Sequence, residues 1–126
     1  MSVAVFLTAC YVHTRARMIA PVTQRPRVCP AAVRFFDAPT DVGTPYVEVA
    51  QFSVWWPPDM VADLRTIEDA ERSKAAKLGA NGIIRGRLVG GNSVQPRYQG
   101  DTSAVAIFIA ADSAHIIEAC AITPRA

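Results

Sequence analysis

The residues best suited to chemistry in this sequence are its three cysteines, Cys10, Cys29 and Cys120. No two of them are close enough in the chain to form the Cys-x-x-Cys pattern that is typical of redox centres and zinc sites. In an oxidising compartment Cys29 could form a disulfide with Cys120 and tie the early part of the chain to its C-terminal segment. Two unpaired, partly buried thiols are the alternative, and the sequence does not distinguish between the two states.

The two histidines, His13 and His115, do not complete a catalytic or metal-binding pattern. A metal ion needs several converging ligands, and the offsets of His115, Glu118 and Cys120 spread them over different faces of a helix. A nucleophile would need a neighbouring base and an orienting acid, and nothing in the sequence marks such a group. We therefore predict no catalytic residues, no metal ligands and no cofactor, and we expect that the protein is not an enzyme.

Two groups of residues are candidates for an interaction surface. Trp55 and Trp56 are adjacent, and exposed aromatic side chains concentrate binding energy, although one of them, Trp56, could instead belong to the core. Three arginines could form a patch for an anionic partner: Arg85, Arg87 and Arg97. The simpler interpretation of these arginines is the solvated face of a sheet.

Composition predicts one small domain with attached segments. The chain has 126 residues, of which 51% are hydrophobic, and this is enough to fill a core. Its formal net charge of +2 is too small to indicate a nucleic-acid partner. The charge is uneven, however, because residues 11–32 contain four arginines and no acidic residue. No apolar run approaches the roughly 20 residues that a membrane-spanning helix needs.

The first ten residues resemble the end of a bacterial lipoprotein signal. A short apolar run, Val3–Leu7, leads into Leu7-Thr8-Ala9-Cys10, which resembles a lipobox. In that family the cysteine becomes the first residue of the mature chain and carries lipid, so the resemblance implies that Cys10 is acylated. The segment departs from the family because no basic residue precedes its apolar run. A short buried strand with a chance cysteine is the alternative.

The same resemblance implies a location in the cell. Enterobacterial lipoproteins that stay at the inner membrane tend to have aspartate after the lipidated cysteine, whereas this chain has Tyr11. We therefore expect a lipid anchor in the outer membrane, with the domain facing the periplasm.

Residues 11–30 are predicted to form a tether. They include Pro21, Pro26 and Pro30, and proline fixes φ and removes backbone donors, so an extended and solvated connector is expected. If Cys10 is acylated, the tether would space the domain from the bilayer, and its arginines would face anionic lipid or cell-wall polymer. An ordinary soluble linker is the alternative.

The remaining residues, 31–126, are predicted to form a single α+β domain. Four strands are predicted, at residues 31–36, 46–56, 83–89 and 103–110. The second strand changes its alternation near Val49-Ala50, which predicts a β-bulge there. The fourth is apolar on both alternating faces, which is typical of a strand that is covered on both sides.

One long helix is predicted over Asp59–Leu78, with Asp59 as its N-cap. Apolar residues share one side of it at helical spacing: Met60, Leu64, Ile67, Ala75 and Leu78. Glu71 falls near the middle of that side. Either Glu71 is a buried or partnered acid, or the helix begins at Thr66 and its face is rotated, and we favour the second interpretation.

A tight turn, Leu78–Gly82, follows the helix. Gly79 is expected to end the helix in a left-handed conformation, and Asn81 and Gly82 to reverse the chain because both tolerate positive φ. An optional short helix begins at Asp112 or Ser113. The elements together predict a β-β-α-β-β order, in which an antiparallel or mixed sheet packs one principal helix on one face.

Part of this pattern resembles small bacterial domains. It consists of Pro45-Tyr46-x-Glu48-Val49, a helix end and turn at Lys74–Ile84, and the strand Ala104–Phe108. It resembles the RcsF-like outer-membrane lipoproteins and the YbjQ-like heavy-metal-binding domains. The resemblance covers Tyr46–Ile109, and Leu78–Asn81 is its most specific part. It implies a small envelope domain that binds or senses and does not catalyse.

The resemblance also bears on disulfides and assembly. RcsF-like proteins stabilise the domain with two disulfides, whereas this chain allows one, between Cys29 and Cys120. YbjQ-like domains form rings, and exposed edge strands would permit a homo-oligomer here. We expect a lipid-anchored envelope protein that binds another envelope protein or a cell-wall component. The alternative is a soluble, oligomeric module that binds a ligand or a metal.

Overall fold

The computed structural model describes residues 12–19, 24–57, 63–86, 88–89 and 99–122. These residues form six strands and two α-helices. The strands are β1 (His13–Met18), β2 (Arg34–Phe36), β3 (Val47–Trp56), β4 (Gly82–Ile84), β5 (Leu88–Val89) and β6 (Gln99–Phe108). The helices are α1 (Leu64–Lys77) and α2 (Ser113–Ile122).

The strands form one mixed sheet in the order β1-β3-β6-β4-β2, and β5 also pairs with β6. Among the described strands only β2 and β4 run parallel, and the other pairs are antiparallel. The predicted α+β fold, with a small mixed sheet, one principal helix and a short C-terminal helix, is confirmed. The third predicted strand is divided, since β4 and β5 pair with different stretches of β6.

The main core lies between α1 and one face of the sheet. Four alternate residues of β3 are buried: Ala50, Phe52, Val54 and Trp56. They share one face because successive side chains of a strand point to opposite sides. From α1, Ile67, Ala75 and Ala76 are buried against this face, and the small alanines let the helix lie close to the sheet.

A second, smaller core covers part of the opposite face. Ile84 of β4 and Ile107 of β6 are buried there together with Ile109, and Phe36 and Tyr46 pack against them. This explains why the sequence of β6 is apolar on both alternating faces. A register shift between Glu48 and Ala50 lies where the β-bulge was predicted.

The start of α1 differs from the prediction. Asp63 is the N-cap, and its Oδ1 accepts hydrogen bonds from the Thr66 backbone N–H at 2.8 Å and the Thr66 hydroxyl at 2.7 Å. These hydrogen bonds, the hydroxyl first, lower the pKa of the Asp63 carboxyl below its ordinary value. The predicted N-cap, Asp59, lies outside the described residues. Leu64, which was expected on the apolar side, is 53% exposed.

Glu71 lies on the core side of α1. It is 2% exposed, one turn from the buried Ile67 and one turn from the buried Ala75. The favoured interpretation, in which the helix began at Thr66 and rotated Glu71 away from the core, is wrong. The pattern of burial follows positions i, i+4 and i+8 from Ile67, which places the carboxylate between two apolar neighbours.

Part of the predicted tether is instead a strand of the sheet. β1 pairs along its whole length with β3, from His13 opposite Trp55 to Met18 opposite Ala50. The physical reason is the alternation in His13–Met18, which places Thr14, Ala16 and Met18 on the core side. The solvated connector expected from the prolines therefore does not include these residues.

The turn after α1 uses its polar residue differently from the prediction. Gly79 has the expected positive φ, +77°. Among the described residues the other positive φ is at Gly43, so Asn81 and Gly82 do not have the positive φ expected of them. Asn81 is fully buried and forms two hydrogen bonds with the backbone of Ile109. Its Oδ1 accepts from the Ile109 N–H at 2.7 Å, and its Nδ2 donates to the Ile109 carbonyl at 2.9 Å.

We predict that Gly79→Ala lowers the free energy of unfolding more than Gly43→Ala does. Both positions have nearly the same left-handed φ, +77° and +74°, which costs an alanine about 1–2 kcal/mol. An added Cβ at Gly79 would also approach the Arg25 Cβ at 2.5 Å and the Pro26 carbonyl at 2.7 Å, whereas at Gly43 it would meet nothing within 4 Å. Urea denaturation measures both variants, and equal losses would contradict the close packing at Gly79.

We predict that Asn81→Ala lowers the free energy of unfolding by about 2 kcal/mol or more, because it leaves a buried backbone donor and acceptor without their partner. Ser113→Ala is the control, since it removes an exposed hydrogen bond from the Ser113 hydroxyl to the Ala110 carbonyl. The control is expected to cost about 1 kcal/mol or less. Thermal and urea unfolding compare the variants. A similar loss for both would show that the two hydrogen bonds between Asn81 and Ile109 stabilise the fold no more than an exposed one does.

Candidate functional site

The outer face of the β1–β3 pair carries an exposed group of polar and aromatic side chains. The register places His13 opposite Trp55, Arg15 opposite Ser53 and Arg17 opposite Gln51. Gln51 is half-buried, and the other five are exposed. We call these six residues the β1–β3 basic face. They alternate with the core-facing residues of both strands, so the packing that fills the core also presents this face to solvent.

Four side chains of the basic face contact one another in two pairs. Arg17 Nη2 donates a hydrogen bond of 2.7 Å to Gln51 Oε1. The His13 and Trp55 rings are stacked, with centroids 4.3 Å apart and planes inclined by 23°. An open cavity of about 400 Å³ is lined by four members of the face: Arg15, Arg17, Gln51 and Ser53.

This face is positively charged and has no described counter-ion. No described carboxylate lies within ion-pair distance of Arg15 or Arg17, whereas Arg34, Arg72 and Arg85 each form ion pairs. A guanidinium group stays protonated in proteins and presents its donors in a fork that fits phosphate or carboxylate oxygens. The arrangement can therefore hold an anion.

Of the two predicted surface tryptophans, only Trp55 is on the surface. Trp55 is 44% exposed, whereas Trp56 is 6% exposed and packs with Val54 and Ile67. The reason is the alternation of a strand, which sends adjacent side chains to opposite faces. The interaction surface predicted from the sequence therefore loses Trp56.

The predicted arginine patch is not assembled with Trp55. Arg85 follows β4, two strands away from β3, and its guanidinium forms hydrogen bonds of 2.8 Å with both Glu68 and Asp37. The hydrogen bond to Glu68, ahead of the other contacts, raises the pKa of Arg85 above its ordinary value. This residue joins three elements of the fold. The other two members, Arg87 and Arg97, lie outside the described residues.

Sequence reasoning placed Arg15 and Arg17 in a tether that would face anionic lipid or cell-wall polymer, and it missed that they share a face of the sheet with Trp55. A signal for them was present, because charged and small or apolar residues alternate through His13–Met18. The prolines on the C-terminal side of this segment and the absence of acidic residues favoured a tether instead. Pairing with β3 is a contact between distant parts of the chain, and composition does not report it.

Cys29 and Cys120 form the predicted disulfide, with Cα atoms 5.5 Å apart. The Cys29 backbone N–H also donates to Cys120 Sγ at 3.2 Å. The bond fastens α2 to the chain just before residues 30–32, against which α2 packs. Ile117 of α2 is 72% exposed, so the disulfide supplements a helix that buries little of its surface. Cys10, the predicted lipidation site, lies outside the described residues.

No group of three or more histidine, cysteine, aspartate or glutamate side chains that could hold a metal ion occurs in the described part of the chain. Among the same residues, no helix is long and apolar enough to cross a membrane.

No protein-family model and no curated protein sequence matches this chain. A solved structure, that of the Francisella virulence factor FvfA, is similar in fold, with a TM-score of 0.52. The similarity covers 77% of this chain and 97% of that chain, at 13% sequence identity. At this identity the likeness concerns the fold alone.

We predict that the double variant Cys29→Ser/Cys120→Ser loses about 2–5 kcal/mol of unfolding free energy, because the disulfide closes a long loop of chain. In the double variant, hydrogen exchange should accelerate more in α2 than in β3, because the disulfide is attached directly to α2. A reducing agent should lower the stability of the unmodified chain to that of the double variant, which itself should not respond. Unchanged stability on reduction would contradict a structural role for this disulfide.

Proposed function

We propose that this chain is a non-catalytic protein of the bacterial cell envelope, anchored by lipid at Cys10, whose small domain binds an anionic partner through the β1–β3 basic face. The observation that carries the proposal is the disulfide between Cys29 and Cys120. Disulfides persist in oxidising compartments such as the periplasm. The lipobox-like Leu7–Cys10 would deliver the domain to that compartment.

The two arginines of the basic face support the binding of an anion. Arg15 and Arg17 supply permanent positive charge and several donors, and a guanidinium group is not deprotonated at physiological pH. Such groups suit the retention of an anion rather than general acid–base chemistry. The partner would be an acidic envelope protein, a cell-wall component or a lipid surface, and the lipid at Cys10 would hold the domain at the outer membrane, facing the periplasm.

We predict that the chain, produced in a Gram-negative host behind a secretory signal that retains Leu7–Cys10, is recovered in the membrane fraction. Mass spectrometry should then show diacylglycerol and acyl chains on Cys10. Cys10→Ser should abolish the modification, and the chain should then be released from the membrane fraction by high salt, which does not release an acylated chain. The variant Cys29→Ser/Cys120→Ser is the matched control and should still be acylated, because it changes the other two thiols only.

An unmodified Cys10 in a chain that fractionates with soluble proteins would contradict this proposal. In that event light scattering would test the alternative of a soluble, oligomeric binding module. A larger assembly in solution would favour that alternative, and the edge position of β1 in the sheet would offer it a surface for pairing.

A further inference from the structure

Few residues separate Cys10 from the first strand of the sheet. β1 begins at His13, three residues after Cys10, and three residues of fully extended chain span at most about 11 Å. A lipid on Cys10 would therefore hold the end of the basic face at His13 and Trp55 within about this distance of the anchored leaflet. The headgroup layer on each side of a bilayer is itself about 5–7 Å thick, so this end of the domain would lie at the membrane surface.

Only one face of the β1–β3 pair can meet a surface at this distance. On the other face, Ala16 and Met18 pack against the core that α1 covers. The outer face presents Arg15 and Arg17, whose Cα atoms are about 7 Å apart along the strand. Because the two residues project from the same side of one strand, both guanidinium groups can reach a single plane of ligands.

The chemistry of the face matches phospholipid headgroups. Arginine forks bind phosphate oxygens in pairs, and no described carboxylate competes for Arg15 or Arg17. Trp55 is 44% exposed beside them, held by its stack on His13. Tryptophan suits the boundary between headgroups and acyl chains, since its ring is apolar and its N–H is a donor.

We infer that the β1–β3 basic face is a membrane-docking surface, which binds the phosphates of anionic phospholipids in the leaflet that holds Cys10. This inference rests on the proposed lipid anchor and deepens it, because it gives the domain an orientation with the outer face of the sheet towards lipid and α1 away from it. Each arginine at an anionic surface strengthens partitioning by about fivefold, so Arg15 and Arg17 together contribute about 25-fold.

The test uses the full chain with Cys10→Ser, so that no lipid contributes, and with the disulfide formed. Its partition coefficient is measured by co-sedimentation with vesicles of phosphatidylcholine containing one quarter phosphatidylglycerol, and with vesicles of phosphatidylcholine alone. We expect stronger binding to the anionic vesicles, which weakens as salt is added. Arg15→Gln/Arg17→Gln should reduce that binding by about 25-fold.

The matched control is Arg27→Gln/Arg65→Gln, which removes the same charge from two exposed residues away from the face. Arg65 belongs to α1, on the opposite side of the sheet, and Arg27 precedes Val28, which hydrogen-bonds to α1. This control should lose much less binding than the variant of the face. Melting temperatures of both variants establish that each is folded.

A second readout depends on contact rather than on charge. Brominated phosphatidylcholine in the anionic vesicles should quench tryptophan fluorescence, and Trp55→Phe should remove most of the quenching because Trp56 is buried. A structural role for Trp55 would not produce quenching by lipid.

Equal loss of binding in the two double arginine variants would overturn the inference, since it would show an effect of net charge alone. Equal affinity for the two kinds of vesicle would also overturn it, as would calorimetric binding of free inorganic phosphate without preference for vesicles. These outcomes differ from failure of the proposed function. Mass spectrometry of Cys10 tests the lipid anchor, whereas the vesicle experiment uses a chain that cannot be acylated at Cys10.

Discussion

The buried amide of Asn81 holds together the elements on which the rest of the structure depends. Its side chain donates to and accepts from the backbone of Ile109, just beyond β6. Its backbone N–H donates to the Ile107 carbonyl, and its carbonyl accepts from the Arg34 N–H at the start of β2. One residue thus joins the turn after α1 to the ends of β2 and β6, in a place where an unpaired polar group would be costly.

From this fixed centre the sheet extends outwards through β6 and β3 to β1. The inner strands are covered on both faces, by α1 on one side and by the cluster around Ile107 on the other. At β3 and β1 the described residues cover the α1 side, and the other side carries the basic face. The same alternation that turns Ala16 and Phe52 towards the core exposes Arg15 and Ser53, so the basic face follows from the packing of the core.

Much of the fold could be predicted because its signals are local. Alternation marked β3, Gly79 marked the end of α1, and the change of parity near Val49 marked the register shift. The candidate site was predicted less well, because Trp55 was assigned to a surface with other arginines, and Arg15 and Arg17 were assigned to a tether rather than to a strand beside it. Arg85 illustrates the opposite error, because its charge suggested a binding residue. In the structure it forms ion pairs with Glu68 and Asp37, and these residues come from distant segments of the chain.

By itself the sequence determined the class of fold and the approximate position of the principal helix. It also limited Cys29 and Cys120 to two states, a disulfide or two free thiols. These depend on periodicity, turn residues and a small number of thiols, which are properties of short segments. Only the tertiary structure decided that His13–Met18 joins the sheet, that Glu71 and Trp56 are buried, and that Arg15, Arg17 and Trp55 share a face. Each depends on which residues of a distant strand or helix lie opposite, and local sequence does not encode that choice.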